Sequence, residues 1–217
     1  MPQLPYFLFL IFLEMFTIMN TKIQMPGYRN SEYLVILNPH EELRNKIIHV
    51  KNEFATKFHS AGASGKPHLT LVKFSAWELM EEKIANSLKL VAMAMPPFKV
   101  MLKDYGSFPS HTIFINVESK VAIRNLVKEL KVARRLMRSP ENDPFFITDP
   151  YIPVATRLTP VQYETGWLEY SHRKFTGTFI ADSMLLLRRR AGEKGYQIAE
   201  RFEFMNLPVS TKQGELF

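Results

Sequence analysis

The chain has 217 residues with the composition of an ordinary globular protein, 46% hydrophobic and 23% charged, which allows one compact domain or two small intertwined lobes. It contains no cysteine, and this excludes disulfides, thiolate zinc sites and a thiol nucleophile. The formal net charge of +7, with a pI of about 9.5, favours a polyanionic partner such as RNA or a nucleotide.

The first segment in chain order is an apolar run over residues 4–19, interrupted by Glu14. It is too short and too interrupted for a membrane span, and it lacks the basic start and the small-residue cleavage site of a signal peptide. We therefore expect residues 1–25 to be a dispensable extension, with Met19 or Met25 as the true start of the protein. A weak membrane anchor is the alternative.

Hydrophobic periodicity and turn residues predict alternating strands and helices in the rest of the chain. The predicted strands are Tyr33–Leu37, the strand of His68, Phe98–Leu102, His111–Val117, Tyr151–Arg157, Phe175–Ile180, Met184–Arg189 and Tyr196–Phe204. The predicted helices begin near Glu41, Trp77, Val121 and Thr159, and residues 105–109 and 139–150 are predicted to be a turn and a loop. This order predicts an α+β or α/β protein with helices outside the sheets, and of the two we expect a single α+β domain over residues 30–210.

Basic residues are concentrated in two clusters. They are Lys128, Lys131, Arg134, Arg135 and Arg138 on a predicted helix, and Arg188, Arg189 and Arg190 at the end of a predicted strand. Each cluster is either a surface for a polyanion or a run of solvated charges. The sequence does not decide between the two, because charge alone indicates only non-specific attraction.

The segment from Gly65 to Phe74, Gly-Lys-Pro-His-Leu-Thr-Leu-Val-Lys-Phe, is the most informative one. Side chains alternate along a strand, so His68 and Thr70 share one face, about 7 Å apart at roughly 3.3 Å of rise per residue. An imidazole and a hydroxyl in this arrangement can both hydrogen-bond a phosphate oxygen. A histidine in an apolar strand is also often a satisfied structural residue, so a partner motif is needed.

A segment of similar pattern follows at Asp149–Leu158, Asp-Pro-Tyr-Ile-Pro-Val-Ala-Thr-Arg-Leu. There too a proline precedes a strand with alternating apolar residues. Tyr151 lies 83 residues after His68, and each residue starts a strand that follows a helix and a loop.

With these two segments, the chain resembles the 2′-5′ RNA ligase family of the two-histidine phosphoesterase superfamily over about residues 33–190. The resemblance rests on Pro67–Leu71, on the predicted strand pair around Phe108-Pro109 and Ile113–Val117, and on the closing pattern Phe175–Leu187. It implies two intertwined β/α lobes that face each other across a central cleft. In that family two His-x-Thr/Ser-x motifs serve as general acid and general base on 2′,3′-cyclic or 2′-5′ phosphates, without metal or cofactor.

The sequence departs from this pattern at the second motif. His68 and Thr70 match the first motif, but Tyr151 and Pro153 stand where the second histidine and hydroxyl residue belong. A tyrosine side chain titrates near pH 10 in model peptides, which makes it a hydrogen-bond donor but a poor base near pH 7. Either the activity has been lost, or another group supplies the second proton transfer.

His111 is the best substitute for the missing imidazole, provided that its strand lies beside the strand of His68. Lys73 and Arg157, at or near the ends of the two motif strands, are candidate phosphate-binding cations or solvated strand-end charges. The other histidines, His40, His49, His59 and His172, are interpreted as surface or helix-end residues. No metal site is predicted, because these histidines have no carboxylate at ligand spacing.

Three functions remain open from the sequence. The first is a phosphodiesterase or RNA ligase that acts on cyclic or 2′-5′ phosphates of RNA or nucleotides. The second is a binding module of the same fold with impaired catalysis, and the third is an unrelated α+β protein with a coincidental His-Leu-Thr-Leu. For either of the first two we expect a cytoplasmic monomer that uses no metal or cofactor and does not associate with membranes.

Overall fold

The structure, a computed structural model, describes residues 28–60, 65–139 and 142–208. The apolar run at the start of the chain lies outside these residues, so its interpretation as a dispensable extension stays a prediction. Within the described ranges, no helix combines the length and the apolar character needed to cross a bilayer.

Nine strands and five α-helices are found in the described residues. The strands are β1 (Asn30–Leu37), β2 (Leu69–Trp77), β3 (Phe98–Phe108), β4 (Thr112–Val117), β5 (Phe145–Phe146), β6 (Tyr151–Thr156), β7 (Thr176–Ala181), β8 (Ser183–Arg189) and β9 (Gln197–Glu203). The α-helices are α1 (Glu41–Phe58), α2 (Glu81–Ala94), α3 (Lys120–Leu130), α4 (Arg134–Met137) and α5 (Pro160–Tyr170). Short 3₁₀ turns at Glu78–Met80 and Lys131–Ala133 precede α2 and α4.

The strands form two antiparallel sheets. The first sheet has the order β5-β2-β1-β8-β9, and the second has the order β6-β4-β3-β7. Helix α1 follows β1 of the first sheet but packs on β6 and β7 of the second, and Gln162 of α5 donates hydrogen bonds to the carbonyls of Phe58 and His59 at the end of α1. The predicted α+β fold with intertwined lobes is therefore confirmed.

Several boundaries differ from the sequence prediction. Strand β3 continues through the predicted turn at residues 105–109 up to Phe108, because its partner β4 pairs with it as far as Thr112. The predicted helix from Val121 is interrupted by the 3₁₀ turn before α4. The predicted loop 139–150 contains β5, which pairs with β2. Helix α5 begins as predicted, since Thr159 and Gln162 form a reciprocal capping box.

Each sheet has one face on the main hydrophobic core and one face away from it. In β2, Leu69, Leu71, Val72 and Phe74 belong to the main core. A smaller apolar cluster of Leu34, Ile36, Leu185 and Leu187, with Tyr196 against it, occupies the opposite face of the first sheet. We call the side of either sheet away from the main core its open face.

Candidate functional site

His68 directly precedes β2, and its ring orientation is set by the local backbone. Its Nδ1 atom lies 2.9 Å from the carbonyl oxygen of Lys66. A carbonyl oxygen only accepts hydrogen bonds, so Nδ1 carries the proton and Nε2 of the neutral ring keeps its lone pair. The half-buried imidazole is therefore held with its basic nitrogen available to a ligand.

The surroundings of His68 favour its neutral form. Burial lowers the pKa of the imidazole, the hydrogen bond to the Lys66 carbonyl opposes this, and the positive charge of Lys51 adds to the lowering. Lys51 is a buried residue of α1 whose ammonium group donates to the carbonyl oxygen of Gly65 at 2.9 Å. Near neutral pH, His68 is therefore suited to accept a proton.

A bulge in β2 determines which side chains share the open face with His68. Thr70 lies opposite Ile36 and Lys73 lies opposite Leu34, while Leu71 is left out of the pairing with β1. Cross-strand partners share a face, so Thr70 and Lys73 are on the open face. Lys73 is exposed, and the Thr70 hydroxyl makes no hydrogen bond to another residue in the described ranges.

Strand β6 of the second sheet has the same construction. Pro153 lies opposite Phe114 and Tyr151 opposite Asn116, while Val154 is left out of the pairing with β4. Val154 and Ala155 both belong to the main core. The half-buried Tyr151 and Pro153 therefore lie on the open face.

The two bulges align the motif strands with each other. Leu71 and Val154 are 83 residues apart, the same interval that separates His68 from Tyr151 and Thr70 from Pro153. Strands β2 and β6 also contact each other where the two sheets meet. In the strand register, Tyr151 and Pro153 thus stand at the positions equivalent to His68 and Thr70.

The sequence also allows a second alignment of the β6 segment with the first motif. The spacing Pro-x-x-Thr occurs in Pro67–Thr70 and again in Pro153–Thr156, and it would put Val154 at the histidine position. Val154 is fully buried in the core, so a side chain there does not reach the open face. Thr156, which lies opposite Thr112, is on the open face at the position equivalent to Lys73, and sequence reasoning missed it.

Tyr151 is part of an aromatic cluster that the sequence analysis also missed. Its ring centroid lies 5.1 Å from that of Phe108 and 4.9 Å from that of Phe114, and the two phenylalanine rings are 4.7 Å apart. A side chain on Gly106 would place its Cβ 2.6 Å from the Phe114 ring, so this glycine makes room for the ring. Phe108 and Phe114 were visible in the predicted strand pair, but their contact with Tyr151 depends on the pairing of β4 with β6.

His111 does not lie on a strand beside that of His68, which was the condition for its role as a substitute imidazole. It lies in the turn before β4, and β4 pairs with β3 and β6 rather than with the strand of His68. Its Nδ1 donates to the Pro109 carbonyl at 2.9 Å, and its exposed ring stacks on Phe108 with centroids 6.4 Å apart. The Phe108 ring thus lies against both the His111 ring and the Tyr151 ring.

Arg157 follows β6 in a left-handed conformation, with φ of 55°. The amide of Leu158 donates to the His111 carbonyl, so the hydrogen bonding between the β4 and β6 segments continues beyond Arg157, which takes no part in it. Its exposed side chain makes no ion pair within the described part of the chain. Arg157 therefore remains a candidate phosphate-binding cation at the end of β6, as Lys73 does in β2.

The three arginines at the end of β8 and directly after it are paired with carboxylates. Arg188 bonds Glu81, Arg189 bonds Glu32 and Arg190 bonds Glu78, with closest N–O distances of 2.9, 2.6 and 2.7 Å. The hydrogen bond from Arg190 lowers the pKa of Glu78. Two of these pairs tie the first sheet to the 3₁₀ turn and the start of α2, and the third links β8 to β1, so the cluster is not a free surface for a polyanion. In the other cluster, Arg134 and Arg138 share Asp143.

Among the described residues, no group of three or more histidine, aspartate or glutamate side chains is arranged to hold a metal ion. His40 caps α1, where its Nδ1 accepts a hydrogen bond from the amide of Leu43. The acid–base groups that the two motif segments carry on the open faces are the His68 imidazole and the Tyr151 hydroxyl.

A family model described as the 2′-5′ RNA ligase superfamily matches residues 35–193, which include both motif strands. The chain belongs to this superfamily. Comparison with curated proteins gave no match.

Solved structures with the superfamily fold overlap most of the chain. One titled as a phosphoesterase has a TM-score of 0.61 at 17% identity, covering 80% of this chain and 98% of its own. E. coli LigT complexed with 3′-AMP has a TM-score of 0.63 at 16% identity, with 81% and 98% covered. TT0787 of Thermus thermophilus has a TM-score of 0.59 at 19% identity, with 80% and 98% covered. These likenesses show the same fold over about four fifths of the chain.

Proposed function

We propose that this protein acts on 2′,3′-cyclic or 2′-5′ phosphates of RNA or nucleotides, with His68 as the principal acid–base residue. The observation that carries the proposal is the neutral imidazole of His68, anchored through Nδ1 and sharing an open face with the Thr70 hydroxyl. Membership of the superfamily supports the substrate class, as does the binding of 3′-AMP and of phosphate in LigT structures.

Hydrolysis of a cyclic phosphate adds water across one P–O bond. The water oxygen attacks phosphorus, and its proton passes to Nε2 of His68, whose lowered pKa keeps that nitrogen unprotonated. The bond to the 2′ or 3′ oxygen breaks, and this leaving oxygen takes a proton from a donor. The Tyr151 hydroxyl on the facing strand is the candidate donor, Thr70 holds a phosphate oxygen, and Lys73 and Arg157 offset the phosphate charge.

A binding module with impaired catalysis is the second candidate, and one observation favours it. Tyr151 and Pro153 replace an imidazole and a hydroxyl at the positions equivalent to His68 and Thr70. Such a module keeps phosphate recognition on β2 but lacks an efficient second proton transfer, so it binds nucleotides without turning them over.

Purified protein assayed with 2′,3′-cyclic nucleotides and 2′-5′ linked oligonucleotides tests both candidates. We expect slow hydrolysis that falls about 10²–10⁴-fold in His68→Ala, the usual contribution of a positioned acid or base. His172→Ala is the matched control, because it removes an exposed imidazole at the end of α5. Binding without turnover, weakened by His68→Ala and by added salt, would establish the binding module instead. If His68→Ala changes neither turnover nor affinity, the assignment of the site is wrong.

A further inference from the structure

The rings of Phe108, Phe114 and Tyr151, which we call the aromatic platform, lie on the open face of the second sheet, outside the main core. Phe114 is directly opposite Pro153, and Phe108 is opposite Thr112, which places them on the same side of the sheet as Tyr151. None of the three belongs to the main core. They therefore occupy the half of the site where a second phosphate-binding motif would otherwise stand.

A polar group adjoins the aromatic platform. Asn116 lies opposite Tyr151 in the pairing of β4 with β6. Its Oδ1 atom and the Phe114 ring both lie over Gly106, since a Cβ placed on that glycine would be 2.7 Å from Oδ1 and 2.6 Å from the ring. Its side-chain amide is half-buried and makes no hydrogen bond to another residue in the ranges that the structure describes. An amide carries both donor and acceptor groups, which are what the edge of a nucleobase requires.

We propose that the aromatic platform binds the nucleobase next to the scissile phosphate. This inference rests on the proposed function and specifies how its substrate is held. A nucleobase stacks on an aromatic ring face to face, and every nucleobase has such a face. The platform therefore favours nucleotides over base-free phosphates, without a strong preference among the bases. In this chain β2 carries the principal phosphate-binding groups, and β6 with its neighbours adds the surface that binds the base.

Two probes separate base recognition from phosphate recognition. Adenosine 2′,3′-cyclic phosphate carries a base, and glycerol 1,2-cyclic phosphate presents a similar five-membered cyclic phosphate without one. Stacking on an aromatic side chain contributes about 1–3 kcal/mol per base, equivalent to about 5- to 150-fold in affinity. We expect wild-type protein to bind or hydrolyse the adenosine probe more efficiently than the glycerol probe by a factor in this range.

Variants then locate the source of that difference. Phe108→Leu should reduce the preference for the adenosine probe several-fold and leave the glycerol probe nearly unaffected. Tyr151→Leu also removes the candidate proton donor, so it should slow hydrolysis of both probes and in addition reduce the preference, whereas Tyr151→Phe should keep the preference. Trp77→Leu is the control, since Trp77 is an exposed ring at the far end of β2. Thermal melts of every variant identify any that lose their fold, and the two leucine variants give independent readings.

The outcomes distinguish this inference from the proposed function. Equal use of both probes, with a shared dependence on His68, overturns base binding while the phosphate site stands. A preference for the adenosine probe that survives both leucine variants also overturns it. If neither probe is bound or hydrolysed, both the platform and the proposed function are wrong.

Discussion

Replacing Tyr151 by histidine and Pro153 by threonine should raise the rate of cyclic-phosphate hydrolysis. The register of β4 and β6 puts both residues on the open face, at the positions equivalent to His68 and Thr70. The double variant therefore supplies the imidazole and the hydroxyl that the second motif lacks. The expected gain is at most the ~10²–10⁴-fold that a positioned general acid contributes.

The double change should cost about 1–3 kcal/mol of stability, because Tyr151 loses two ring contacts. Tyr151 and Pro153 are both half-buried and lie on β6, an edge strand of the second sheet. Threonine restores a backbone N–H and suits a strand, while loss of the Tyr151 ring removes its contacts with Phe108 and Phe114. Loss of such ring pairs costs about 0.5–1.5 kcal/mol each.

Val154→His is the matched test of the second alignment. Val154 is fully buried, so the larger ring overpacks the core at about 1–3 kcal/mol, and an unpaired polar nitrogen adds roughly 1–3 kcal/mol. The sum, about 2–6 kcal/mol, lowers the melting temperature by roughly 4–24 °C, at 2–4 °C per kcal/mol in a chain of this size. We expect no gain in activity.

Initial rates on adenosine 2′,3′-cyclic phosphate and thermal melts of the three proteins provide the measurement. If Val154→His retains its stability and gains activity, while the folded double variant gains none, the strand register used here is refuted. If the folded double variant gains nothing and His111→Ala abolishes wild-type activity, His111 is the working partner of His68.

Three further predictions follow from the same site. The lowered pKa of His68 should place the acidic limb of the kcat/KM profile below about pH 6.5, where an ordinary histidine titrates. The unfolded chain binds this proton more readily than the folded one, so the free energy of unfolding in denaturant titrations should also fall as the pH drops below about 6.5. Lys51→Met removes a positive charge that lowers the pKa of His68, so the limb should move to higher pH, and an unchanged profile would contradict this coupling. Gly106→Ala should cost about 1–3 kcal/mol in urea unfolding, because the new Cβ would meet the Phe114 ring at 2.6 Å; full retention of stability would show that the ring can move freely.

The sequence by itself determined the features that depend on short spacing. Alternation along a strand put His68 and Thr70 on one face, and Thr159 followed by Pro160 marked the start of α5. The order of strands and helices predicted the α+β fold, because each element carries its own hydrophobic period. The resemblance carried by Pro67–Leu71 led to the superfamily to which the chain belongs.

The tertiary structure decided what depends on partners distant in sequence. Whether Tyr151 or Val154 reaches the open face is set by a bulge against β4, and a bulge is a property of two paired strands rather than of one. Arg188, Arg189 and Arg190 form an unpaired basic run in the local sequence, because their carboxylate partners lie more than 100 residues away. The aromatic platform likewise needs β3, β4 and β6 side by side, so no local pattern specifies it.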